Sequence, residues 1–69
     1  MSSYSGIVSI KSDGDEIGTV QVAVDEGDNV IVMTVTDEDG DSAAAPMDVA
    51  EALDLIARLS AAVAAAVRN

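Results

Sequence analysis

Sixty-nine residues without cysteine or histidine carry a net charge of −10, from thirteen acids against three bases. That allows one domain with a small core and excludes a disulfide and any zinc site not built from carboxylates alone. The charge sets the chain against direct contact with nucleic acid, anionic membranes and acidic substrates, and towards basic proteins and cations.

Met1 to Ser5 is polar and is expected to fray. It has neither a basic n-region nor an apolar h-region, so no signal peptide is expected and the chain is placed in the cytoplasm. Strands are expected over about 7–11, 17–25 and 29–36, with a short edge strand of poor propensity over 42–45. Asp13-Gly14 is a hairpin dipeptide between the first two. Two pairings fit that hairpin. Either Val8 and Ile10 face inward with a three-residue loop, or Ile7 does with a two-residue one, and we favour the first.

The second hairpin is better specified. Glu26-Gly27-Asp28-Asn29, with Gly27 at the first central position, fits a two-residue type II′ turn. That turn pairs Val24 with Ile31, Val22 with Met33 and Val20 with Val35 on one apolar face. The opposite face pairs Ala23 with Val32, Gln21 with Thr34 and Thr19 with Thr36. A one-residue slip would mix the two faces, so turn chemistry and hydrophobic pattern agree.

Pro46 is expected to end the last ladder and introduce a helix over 48–68. Asp48 and Glu51 have the three-residue spacing of a capping box. At about 100° per residue, Val49, Ala52, Leu53, Ile56, Leu59, Val63 and Val67 form one broad stripe, widened by Leu55 and Ala66. Glu51, Asp54 and Arg58 lie opposite, with Asp54→Arg58 as an i,i+4 pair.

Together these elements predict an α+β fold in a single domain, 1–69. A three- to four-stranded antiparallel β-meander packs against one C-terminal α-helix. The inner valines are expected to meet Leu53, Ile56, Leu59 and Val63. A core this small, with no disulfide or metal to reinforce it, favours a homo-oligomer. Two surfaces are left over for contact. The outer sheet face carries Ile7, Ile17, Ala23, Val30 and Val32, and the helix end around Ala61 and Ala65 is small on every side.

A meander puts its first and third turns at one end. That end would gather Asp13, Asp15, Glu16, Asp37, Glu38, Asp39 and Asp41, whose crowding a cation or a basic partner would relieve. One reading is calcium, since Asp37, Asp39 and Asp41 match loop positions one, three and five of an EF-hand and Asp48 falls at twelve. Against it, Ser42 stands where glycine is needed, Pro46 lies within the loop, Asp48 replaces glutamate, and a strand precedes the loop. A second reading is mimicry of nucleic acid, with carboxylates presented where phosphates would lie. A third is acidity that keeps a small protein soluble, as in a halophile-adapted structural protein.

Enzyme chemistry finds no footing. Cysteine and histidine are absent, Lys11 is the only lysine, and no serine has a neighbouring base. No glycine pattern fits a phosphate loop. No apolar run is long enough to span a bilayer, because Glu51, Asp54, Arg58 and Ser60 interrupt the helix.

The strand and Asp/Gly turn followed by Pro46-Met47-Asp48-Val49-Ala50-Glu51-Ala52-Leu53 resemble small uncharacterised acidic proteins of high-GC actinobacteria and their phages. The resemblance covers the C-terminal half and carries no activity with it. It implies an accessory virion subunit or an inhibitor of a host protein. The expected function is therefore a non-enzymatic, acidic protein–protein interaction protein, with a divalent-cation module and a halophile-adapted structural protein as the alternatives.

Overall fold

The computed structural model describes residues 4–68. In chain order it contains β1 (Ser5–Ser12), β2 (Asp15–Asp25), β3 (Val30–Asp37), β4 (Ser42–Met47) and α1 (Val49–Arg68). The strands form one antiparallel sheet in the order β1-β2-β3-β4, so the architecture is an α+β meander with a single C-terminal helix. Fraying of Met1, Ser2 and Ser3 lies outside the described residues. Tyr4 and Ser5 are tied to the sheet: the Val24 amide donates to the Tyr4 carbonyl at 3.1 Å, and Ser5 pairs with Ala23.

The β2–β3 register is the one the alternation demands. Val24 faces Ile31, Val22 faces Met33 and Val20 faces Val35. The turn that holds it is of another kind. Gly27 does not have the positive φ of a type II′ turn; the left-handed residue is Asn29, at φ 53°. The Asp25 carboxylate accepts from the Gly27 amide at 3.1 Å, so an Asx bend starts the reversal and an asparagine tolerant of the left-handed region ends it. The four-residue connection keeps the parity, and with it the face.

The first hairpin combines parts of both expected pairings. Asp13 and Gly14, at φ 54° and 88°, make a two-residue type I′ turn between Ser12 and Asp15. The ladder then shifts between Ile10 and Lys11, leaving Ile17 as an extra residue on β2. That bulge restores the alternation, so Val8 pairs with Val20 and shares the inner face without a three-residue loop. Gly18 sits beside the bulge because a Cβ there would collide with the Thr36 carbonyl oxygen of β3.

β4 runs through Pro46 to Met47, two residues past the expected end. Pro46 does not break the ladder, because β4 is an edge strand and a missing N–H there can face solvent. One residue, Asp48, then links β4 to α1, and the capping box forms. The Glu51 amide donates to Asp48 Oδ1 at 2.8 Å, and the Asp48 amide donates to Glu51 Oε1 at 3.0 Å.

This short link fixes where the helix can lie. The Cα atoms of α1 come within 8 Å of β3 and β4 and of no other strand. Ala52 and Leu55 are the half-buried residues that seat α1 on its own sheet. The expected contact of Leu53, Ile56, Leu59 and Val63 with the inner valines is therefore corrected. These four remain 57–61% exposed, because a helix tethered to the edge strand rests on the flank of its stripe, not on its centre. None of the described residues is buried.

Candidate functional site

The inner sheet face and α1 diverge from their contact at β4 to form an open, wedge-shaped cleft of about 450 Å³. Its floor is built from alternate residues of the strands: Val8 from β1, Val20, Val22 and Val24 from β2, and Ile31 and Met33 from β3. Met47 closes the end where β4 meets the helix, and Ala52, Leu55, Ile56 and Leu59 form the wall. Every one of these side chains is uncharged and apolar. The cleft offers no nucleophile, base or hydrogen-bonding group to a substrate. What it can do is exclude water from another apolar surface.

Of the residues that line the cleft, Met47 is the one the sequence reading leaves unplaced, while Met33 is expected on the inner face and Leu55 on the helix stripe. The signal for Met47 is the alternation carried across Pro46, which places it opposite Ile31 on the inner face. Of the residues expected to make contacts, Val32 lies on the outer face between Ala23 and Pro46, with Ile7 opposite Gln21 on the same face. Val30 closes the β2–β3 ladder opposite Asp25. Ile17 is the bulge residue, 40% exposed. Ala61 and Ala65 are exposed in the distal half of α1.

The second feature is the acidic end. The β1–β2 turn and the β3–β4 turn lie together, because Gly18 pairs with Asp37. Between them is a shallow cleft of about 260 Å³ lined by Glu16, Gly18, Thr19, Thr36, Asp37 and Glu38. Asp13, Asp15, Asp39 and Asp41 complete the rim and are exposed. The Asp37 carboxylate accepts from the Asp39 amide at 2.9 Å and the Asp41 amide at 3.0 Å, which shapes the β3–β4 turn. The one ion pair among the described residues is elsewhere, between Arg58 Nε and Asp54 Oδ1 at 3.6 Å on the exposed helix face.

The four carboxylates of the calcium reading are not brought together. Asp37, Asp39 and Asp41 sit at one end of β4 and Asp48 at the other, roughly 20 Å away at the rise of an extended strand. Asp48 is also engaged as the helix cap. Among the described residues, no group of three or more acids is placed to hold a metal ion. Nor is any helix among them long and apolar enough to cross a membrane.

Compared with family models, with curated proteins and with solved structures, the chain matches none. The functional reading therefore rests on the two surfaces themselves.

Proposed function

We infer that the protein is a non-enzymatic interaction protein whose apolar cleft is an interface completed by another polypeptide. One observation carries this reading. The sheet face and helix stripe that line the cleft are apolar; Val20, Val22, Val24, Ile31 and Met33 are only half-buried, and Val8, Leu53, Ile56, Leu59 and Val63 are exposed. A chain of this length has no spare stability with which to hold such a surface in solvent for no purpose. The acidic rim adds a second contact of different character. It fits a basic protein surface, including one that otherwise grips nucleic-acid phosphates, in keeping with an accessory or inhibitory subunit.

The test uses Nile red, a neutral dye that the −10 charge does not repel. At high dilution the chain should bind the dye and enhance its fluorescence, and association should displace it. A folded, dilute chain that leaves the dye in water would contradict the reading. For the rim, affinity for a basic partner should fall steeply as salt is raised. Salt-independent binding would remove the rim from the interface.

A further inference from the structure

We propose that the polypeptide completing the cleft is a second copy of this chain, joined through α1. The inference rests on the reading of the cleft as an interface. Along α1, Val49, Leu53, Ile56, Ser60, Val63 and Val67 recur at alternating steps of four and three residues. That is the a/d spacing of a helix–helix seam, sustained over the whole helix. The seam is distinct from the Ala52–Leu55 flank on which α1 rests. Leu53 is 60% exposed, Ile56 58%, Val63 61% and Val67 80%.

The size of the uncovered surface fits one such partner. The chain exposes 5381 Å², whereas a compact monomer of 7.0 kDa exposes about 4,000 Å². The excess, on the order of 1,000 Å² per chain, is what an obligate dimer buries on each side. The radius of gyration is 13.9 Å, against about 11 Å for a closed domain of this length.

Width and symmetry agree. Four strands span about 14 Å between their outer axes, and packed helices lie 8–10 Å apart, so one face of the sheet takes two helices side by side. This chain supplies one, over β3 and β4. The vacant half, over β1 and β2, has room for the α1 of a second copy laid along the seam. Two-fold symmetry makes the exchange reciprocal. The two sheets then flank the helix pair from opposite sides, which requires the helices to run parallel.

The chemistry of the remaining helix faces follows from this arrangement. The face turned towards the partner's sheet carries Ala50, Ala57 and Ala64, small enough for a sheet to approach. Glu51, Asp54 and Arg58 point away from every packed surface. Two chains of net charge −10 can thus meet along a seam free of carboxylates.

Sedimentation equilibrium of the full chain tests the proposal, with a mass of about 14 kDa expected, twice the 7.0 kDa of one chain. Val63 and Ser60 do not line the chain's own cleft, so variants there leave its own sheet contact alone. Val63→Asp should weaken the dimer about 100-fold or more by burying a carboxylate in the seam. Ser60→Leu should tighten it about 10-fold by replacing a polar a-position residue. Ser60→Cys, in a chain with no other cysteine, should oxidise to a covalent dimer because a positions of parallel helices face each other. A chain that stays a folded monomer even at the highest concentration loaded, and binds Nile red there, would overturn the second copy and leave the interface reading standing. A folded monomer that excludes the dye would overturn both. A dimer whose affinity ignores Ser60→Leu and that Ser60→Cys fails to cross-link would overturn the seam.

Discussion

Asp48 and Glu51 hold each other's backbone amides, at 2.8 and 3.0 Å, in the single step between the edge strand and the helix. This reciprocal pair does more than start α1. It leaves one residue of connection, so the helix begins over β4 and reaches no further than β3. Asp48→Ala should lower stability by about 1 kcal/mol in urea unfolding, the usual cost of an N-cap, with a smaller loss for Glu51→Ala. Equal stability of wild type and Asp48→Ala would show that the cap does not form.

Gly18 and Gly27 make a contrasting pair. A side chain at Gly18 would strike the Thr36 carbonyl across the β2–β3 ladder. Gly18→Ala should therefore cost about 2 kcal/mol or more, since the obstacle is backbone and cannot swing aside.

Gly27 is free of such a constraint, with only the Asp25 carboxylate near it, at 3.5 Å. Its φ is not left-handed. Gly27→Ala should be neutral or stabilising by about 0.5 kcal/mol, because alanine narrows the unfolded ensemble without strain in the turn. A loss of about 1 kcal/mol would restore the type II′ turn that the glycine's position suggests.

Calcium should not stabilise the protein beyond the effect of ionic strength. Asp37 already accepts two amides of its own turn, and Asp48 is at the far end of β4. Thermal melts in millimolar calcium and in sodium chloride of matched ionic strength should coincide. A midpoint that rises with calcium alone would reveal a site by mass action.

The sheet was legible in the sequence because two independent signals agreed there. The valines of β2 and β3 alternate with period two, and the connection between them has the parity that keeps them on one face. The turn itself was less legible, because Gly27 draws attention while the Asx bend of Asp25 and the left-handed Asn29 do the turning. The bulge at Ile17 had a signal, a lone glycine inside a strand, that the alternation alone does not weigh. The helix seat differs from the expected one for a physical reason. A broad apolar stripe says that a helix face needs cover, not which part of the stripe meets its own sheet, and the flank of Ala52 and Leu55 is the part that does. The acidic end was legible from topology alone, since a meander returns its first and third turns to the same side.

The claim that everything else serves is that this fold is finished only by association. Thermal melting followed across a roughly hundredfold range of protein concentration tests it most directly. A midpoint that climbs steadily with concentration is expected, because burial of the cleft between copies stabilises the fold by mass action. A reversible, cooperative transition whose midpoint stays fixed over that range would contradict it.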